Sequence, residues 1–502
     1  MSHKKQTSRR QFLKQTGAVA TVFSIFSRRS FGEGKRPPNI LFFFPDQHRP
    51  DWSSLNKGLP VRTPNFAQLA GNGVHFTQCV TPSPLCAPAR ACLALGREYD
   101  HAGVASNKNN LPERAVTLYA RLRDAGYRVG GVGKFDLRKG ASDWGVDGRH
   151  RVDGRVYFDE WGFTDGLDSE GKGGTLIRIV NRDDPPNAHG ESPYLRMLTD
   201  RKDGSLQRYL EWNRKTKEYP VAWAHTEPMD IADEAYNDNW VGRNGLEVLQ
   251  NFPTDKPWFL QANFPGPHPP EDITPGMAAW YRDAAFPGPH DNDQLAPEKH
   301  TEIRRNYSAM VDNIDQWLGR YLKEVARRGE LQNTIIVWSS DHGEMLGDHN
   351  RWGKSVPYQS ALGIPLLVSG PGIRKGAVHD GPATSLDLTA TFLDFAGVPD
   401  LPNMDSRSLR PVLEGKAEKG REHVTSGLGS WRTVFDGRYK LTRGFDPAKS
   451  KEEGGDAAAV ADGEKPLLLF DLKNDPNEDH NLAGENAEQV TRLSKLLPVP
   501  VA

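Results

Sequence analysis

Three cysteines in 502 residues, Cys79, Cys86 and Cys92, are too few for a disulfide framework. Nothing in the sequence supports a Cys79–Cys92 bridge, and two plain buried thiols are expected there. An excess of charge of either sign is also missing. Lys and Arg number 64 against 65 Asp and Glu, a formal net charge of −1. That balance removes the electrostatic case for nucleic acid or an anionic membrane as a general partner. No apolar run reaches the length of a membrane span, so stable membrane insertion is not expected. Internal repeats are absent too, which sets aside repeat architectures.

What the chain does have is turns. It carries 49 Gly and 37 Pro, which suits an active site built from loops. Its length allows one large domain and a smaller one. We divide it into a targeting segment (1–37), a catalytic α/β domain (38–415) and a small C-terminal subdomain (416–502). In the first, Ser8-Arg9-Arg10-Gln11-Phe12-Leu13-Lys14 resembles a twin-arginine export signal. The apolar run that follows is too short to span a bilayer. The resemblance implies the twin-arginine export machinery as a partner and a periplasmic or extracellular destination. Arg28 and Arg29 interrupt the approach to any small-residue cleavage site.

Ile40 to Phe44 is a continuous apolar run, as in a strand buried on both faces of a parallel sheet. Further strands are expected at 127–132, 258–263, 333–338 and 364–369. Helices are expected at 64–71, 87–95, 116–125, 236–249, 303–325 and 386–395. This order gives an α/β sandwich around a largely parallel sheet. Residues 137–235 lose periodicity and read as long insertions around the site. Past residue 415, two strands flank the Asp436-Gly437 turn. A loop over 449–465, a strand at 467–471 and a terminal helix complete a small antiparallel sheet.

Four of these strands end in polar residues. They are Asp46-Gln47, Lys134-Phe135-Asp136, His268 and Asp341-His342. In open α/β sheets, ligands bind beyond the carboxyl ends of the strands. Between the first two lies Cys86-Ala87-Pro88-Ala89-Arg90, followed by a small-residue helix and Gly96. Pro88 sits in the first helical turn, where its missing N–H costs nothing. Cys86 therefore starts a helix, where free backbone N–H groups favour anions and reactive polar groups. Arg90 lies one turn on, on the same face.

Cys-x-Pro-x-Arg with that helix resembles the signature of the type I sulfatases, of alkaline-phosphatase-like fold. The segment Gly347 to Lys354 resembles a second sulfatase motif, and Leu469 to Pro476 resembles the family's C-terminal region. The resemblance implies that Cys86 is converted to formylglycine by a dedicated generating machinery, and that the hydrated aldehyde is the nucleophile. It implies a divalent metal, Ca²⁺, held by Asp46, Gln47, Asp341, His342 and residue 86. Gln47 and His342 replace the usual Asp and Asn. These variants resemble the choline-sulfatase and phosphonate-monoester-hydrolase branch, and a nitrogen ligand admits Mn²⁺ as the alternative. Lys134 and Lys354 match positions that hold the sulfate oxygens. His268 matches the histidine near the leaving oxygen, and Arg90 would orient the formylglycine.

One departure is Asp136, where the family has a histidine implicated in the final step. Asp136 is expected to act as that base or to bind a substrate hydroxyl. The function implied is a sulfuric ester hydrolase acting on a sulfated carbohydrate or small molecule. The rivals are a phosphodiester or phosphonate monoester hydrolase with the same nucleophile, and a non-catalytic sulfated-glycan-binding homologue.

Overall fold

A computed structural model describes residues 36–141, 143–172, 192–448 and 466–498. Residues 1–35, most of the expected targeting segment, and 449–465, where a loop is expected, lie outside the described residues. The chain opens with β1 (Asn39–Phe43), α1 (Pro64–Gly71), β2 (Gly73–Val80), α2 (Cys86–Leu95), α3 (Leu118–Asp124), β3 (Arg128–Gly133) and β4 (Asp165–Asp168). Then come α4 (Pro193–Arg201), α5 (Ser205–Thr216), α6 (Asn237–Asn251), β5 (Trp258–Asn263), α7 (Pro297–Arg327), β6 (Thr334–Trp338), β7 (Leu366–Ser369), β8 (Ala377–Thr384) and α8 (Asp387–Ala396). The C-terminal part adds β9 (Val424–Leu428), β10 (Trp431–Phe435), β11 (Tyr439–Arg443), β12 (Leu467–Asp471) and α9 (Ala487–Ser494).

The large sheet has eight strands in the order β4-β3-β5-β1-β6-β7-β2-β8. Its pairs are parallel except those that β7 makes with β6 and β2. The expected α/β sandwich is therefore the observed one. The apolar run of β1 explains its central place. Ile40 and Phe42 point into one core, with residues of α2, α3 and α8. Leu41 and Phe43 point into the other, with residues of α1, α6 and α7. A strand buried on both faces needs this run, because neither side meets water.

The strand expected at 364–369 is present as β7, and it runs antiparallel to β6 in the otherwise mostly parallel sheet. Strands β2, β8 and β9 were not anticipated. The stretch 137–235 is more ordered than a set of loops, because it contains β4, α4 and α5. Cys79 and Cys92 are free buried thiols, as expected. No described helix is long and apolar enough to cross a membrane.

The smaller sheet is antiparallel, in the order β12-β11-β10-β9. It is tied to the large unit by buried charges. Arg432 pairs with Asp100 on the loop after α2. Lys440, fully buried, pairs with Glu478 at 2.5 Å and donates to the Pro357 carbonyl at 2.6 Å. Gln359 N–H donates to the same Glu478 carboxylate at 2.5 Å. Removing one member of a buried pair strands the other charge, so Lys440→Met should cost about 3–5 kcal/mol of stability. Lys440→Met with Glu478→Leu should recover most of it. Urea unfolding of wild type, single and double variants checks both values.

Candidate active site

The carboxyl ends of β3, β5, β1 and β6 are neighbours in the sheet, and the four polar strand ends converge there. Cys86 joins them from α2, whose first residue it is. Leu85 is extended at φ −152° and its carbonyl accepts from Ala89, so the helix begins with the thiol turned inward. At the far end Gly96 takes φ +65°, a left-handed cap where a Cβ would also collide with Met404.

Cys86 is 0% exposed. Its Sγ lies 3.2 Å from Lys354 Nζ, 3.4 Å from Lys134 Nζ and 3.3 Å from His342 Nε2. The Asp46 carboxylate oxygens lie 3.9 and 4.0 Å away. Burial alone would push this thiol up, but Lys134, Lys139, Lys354 and His342 outweigh it and hold it well below the usual range. His268 faces the thiol as a hydrogen-bond partner, while its Nδ1 lies 2.5 Å from the Pro269 carbonyl. Burial and then Lys354 push His268 down to about 4.

Arg90 ties the strand ends together. Its Nε donates to Asp341 Oδ2 at 2.9 Å, and its Nη1 donates to the Lys134 carbonyl at 2.5 Å and to Asn263 Oδ1 at 3.2 Å. It therefore acts on residue 86 through its neighbours. Lys134 Nζ pairs with Asp46 and lies 3.3 Å from Asp136, which Lys139 also holds at 2.6 Å. Burial raises the Asp136 carboxyl, but Lys134 and Lys139 bring it below its usual range.

Asp46, Cys86, Asp341 and His342 offer ligand atoms that all lie within 4.8 Å of one another, and all four residues are buried. His342 Nδ1 faces the Gly343 carbonyl at 3.1 Å, which turns Nε2 into the cluster. Gln47 N–H donates to Asp341 Oδ1 at 3.0 Å, and its side-chain Oε1 accepts from Lys354 at 2.5 Å. The two carboxylates are held in opposite directions. Against burial and Cys86, Lys134, His268 and Lys354 lower Asp46; burial and the Asp46 charge raise Asp341 despite Arg90. Two adjacent buried carboxylates with an inward imidazole nitrogen and an amide oxygen suit a divalent cation of oxygen-rich shell.

The residues expected from the strand ends and from the two motifs, Asp46, Gln47, Cys86, Arg90, Lys134, Asp136, His268, Asp341, His342 and Lys354, lie in one place, but Lys139, Asn263 and several supports were not expected. Glu344 is fully buried. Its Oε1 accepts from the N–H groups of Leu346 (2.8 Å) and Gly353 (2.6 Å), and its Oε2 accepts from Gln47 Nε2. It sets both the Gln47 amide and the approach of Lys354. Asp168, at the end of β4, accepts from Phe135 N–H at 3.1 Å and steadies the Lys134 loop. Asp238 accepts from Gly266 N–H at 2.8 Å and steadies the His268 loop. Asn263 is itself a strand-end residue, so the same rule applied one position earlier finds it. His349, within the Gly347 to Lys354 segment, meets the Asn477 carbonyl at 2.7 Å and stacks on Tyr358.

Strain marks the same loops. Gln47, Asp136 and Ser355 hold φ of 67°, 55° and 76°, costly for non-glycine residues. Gly133 at φ 90° precedes Lys134, and a Cβ there would sit 2.1 Å from the Asn263 carbonyl oxygen.

A family model described as Sulfatase matches residues 38–398. The N-acetylglucosamine-6-O-sulfatase of Bacteroides thetaiotaomicron is 26% identical over 504 residues, covering 93% of this chain and 86% of that protein. A solved structure in complex with its substrate D-glucosamine-2-N,6-O-disulfate aligns with a TM-score of 0.68 at 20% identity, over 92% of this chain and 97% of that one. The phosphonate monoester hydrolase of Agrobacterium radiobacter aligns with a TM-score of 0.68 at 21% identity, over 91% and 94%. At these identities the structural matches speak to the fold.

Glu344→Gln places an NH₂ group against Gln47 Nε2 and should turn the Gln47 amide, moving its oxygen away from Lys354. Divalent-cation affinity should fall about 10–100-fold with little change in thermal stability. Adding Gln47→Glu, which again offers an acceptor to the amide introduced at position 344, should restore part of it. Calorimetric titration with Ca²⁺ and Mn²⁺ measures both.

Proposed function

The chain belongs to the sulfatase family and is a hydrolase of that class, and we propose that it releases inorganic sulfate from a carbohydrate sulfate ester through a formylglycine made from Cys86. One observation carries this reading: residue 86 sits buried at a helix start between two lysines, within 3.4 Å of each. The carbohydrate is supported by the N-acetylglucosamine-6-O-sulfatase relative. The formylglycine-generating machinery and the twin-arginine export machinery are its proposed partners, with a periplasmic or extracellular site of action.

Residue 86 is cysteine in the structure, so Sγ stands in for an oxygen of the hydrated aldehyde, which supplies the nucleophile toward sulfur. Asp46, Gln47, Asp341, His342 and residue 86 would hold a divalent metal, Ca²⁺ or, given the imidazole ligand, Mn²⁺. Such an ion would draw charge from the sulfate oxygens and from the residue-86 oxygen. Lys134 and Lys354 flank the same point and hold the anionic ester by charge-assisted hydrogen bonds that strengthen as the S–O bond breaks. Arg90 fixes Asp341 and the Lys134 backbone, so the lysine is positioned before substrate arrives.

His268 gives a proton to the departing alcohol oxygen from Nε2, since Nδ1 is engaged by Pro269. In the free protein burial keeps this ring neutral at pH 7. The negative charge of a bound sulfate ester favours the protonated ring, so proton loading follows substrate binding. Asp136 acts at the second stage. Its carboxylate takes the remaining hydroxyl proton of the residue-86 hydrate while Lys134, 3.3 Å from it, stays an ammonium against the sulfate, so that sulfate leaves and the aldehyde returns.

The Gln47 and His342 variants and the fold shared with a phosphonate monoester hydrolase support a second reading, a phosphodiester or phosphonate monoester hydrolase. Side-by-side kinetics on 4-nitrophenyl sulfate and a bis-aryl phosphodiester should give the higher kcat/KM for the sulfate. The reverse ranking favours the second reading. Mass spectrometry of the tryptic peptide containing residue 86 should show the aldehyde in protein from the native host. An unmodified thiol there favours a glycan-binding protein.

Asp136→Asn should leave the first release of alcohol rapid and slow later turnover about 100-fold, giving a burst equal to the enzyme concentration. A raised KM without a burst would assign Asp136 to a substrate hydroxyl instead. Rapid-quench measurement of alcohol release separates the two.

A further inference from the structure

The loop that carries His268 continues into Pro269, Pro270, Glu271 and Asp272, and its acids are unusual. Glu271 is fully buried, and beyond its own backbone N–H neither carboxylate oxygen has a hydrogen-bond partner among the described residues. Its backbone is anchored, with the carbonyl accepting from Asn306 Nδ2 at 2.9 Å. The side chain faces Glu344, Lys172 and Asp272. Lys172 is already committed, to Asp272 at 2.5 Å and to the Tyr236 hydroxyl at 3.0 Å. Glu344 is committed to Gln47 and two backbone N–H groups. Asn237, between Tyr236 and Asp238, is 2% exposed, and neither atom of its side-chain amide is partnered among the described residues.

Buried polar groups without partners are rare in folded proteins, and each one calls for an explanation. An acid wholly removed from water without compensation costs stability that an apolar residue of similar size would not. Three residues before Glu271 stands the histidine that faces residue 86. We infer that Glu271 is a specificity residue for the alcohol side of the ester, and that it recognises a hydroxyl of a polyhydroxylic leaving group beside His268. The inference rests on the sulfatase reading and deepens it, since it names a sugar alcohol and not an aryl alcohol as the preferred leaving group. A carboxyl group suits this role in either protonation state. Ionised, it accepts from a hydroxyl, and protonated, it donates to one.

The test uses the full-length, residue-86-modified enzyme with 4-nitrophenyl sulfate and a panel of monosulfated hexoses. Glu271→Leu should lower kcat/KM for the best sugar sulfate about 10–100-fold, the loss expected for one hydrogen bond to a charged or acidic group. The aryl ester, which brings no hydroxyl to that side, should change less than about threefold. Thermal stability should rise, because an uncompensated buried acid has been removed. Glu271→Gln should keep part of the sugar activity. Equal losses on both esters with a lower melting temperature would make Glu271 a structural acid and overturn the inference. A wild type that cleaves 4-nitrophenyl sulfate but no sugar sulfate would also overturn it, leaving the sulfatase reading intact. A wild type inert to both would overturn the sulfatase reading itself.

Discussion

The site depends on neutralising a set of buried charges at one end of a sheet. Asp46, Asp136 and Asp341 lie with Arg90, Lys134, Lys139 and Lys354 around residue 86, and only Lys139 and Lys354 have appreciable access to solvent. Taking one such ion out of water costs several kcal/mol, so no member is stable there without its partners. Arg90 is central to this balance. It reaches Asp341 and Asn263, lies 3.8 Å from Asp46, and holds the backbone of Lys134. It thereby joins the ends of β1, β3, β5 and β6. The sheet holds the charges in register, and the charges oblige the strand ends to stay together. An arginine suits this better than a lysine, because its planar fork meets several acceptors at fixed angles.

Charge balance also explains why the acids are not equivalent. Asp46 has Lys134 directly on it and is held low, whereas Asp341 beside it is pushed up by burial and by Asp46. Even with Arg90 on Asp341, burial and the Asp46 charge hold that carboxyl up, and on the proposed reading a divalent cation among these ligands would supply further positive charge. Lys134 and Lys354 each lie within 3.4 Å of residue 86, where the proposed anion would meet them. The proposed metal ligands and anion-binding lysines thus share one buried charge balance.

The central strands were legible because β1, β5 and β6 are short apolar runs that stop abruptly at polar residues. Such a run can be buried on both faces, and its end marks the top of the sheet. Strand β2 was not legible, because Gly73-Val74-His75-Phe76-Thr77-Gln78 mixes polar residues into a strand that pairs with distant β7 and β8. Strand β8 contains Gly381-Pro382, which reads locally as a turn. Helices α4 and α5 are short and sit in an insertion rich in Gly, Asp and Arg, so they did not stand out, yet Tyr194, Leu198, Tyr209 and Trp212 bury against the core. Glu344 was overlooked for another reason. A glutamate two residues after a ligand pair reads as solvent-facing, and only the folded loop shows it holding Gln47. Within the same motif, Lys354 reaches the site while the left-handed backbone of His349, at φ 56°, turns its ring to the Asn477 carbonyl.

The burial of Cys86 bears on the order of events in making the enzyme. A thiol with no exposed surface, walled by Lys134, His342, Lys354 and the first turn of α2, cannot be reached by another protein once the chain has folded. On the proposed reading, conversion of residue 86 must therefore come before folding. The charges then act on the product. The lysines that draw the thiol well below its usual range would equally favour an ionised hydroxyl of the hydrated aldehyde. A chain that folds first keeps its thiolate against two lysines, stable and inaccessible. A chain modified first and then folded carries the nucleophile in its final position.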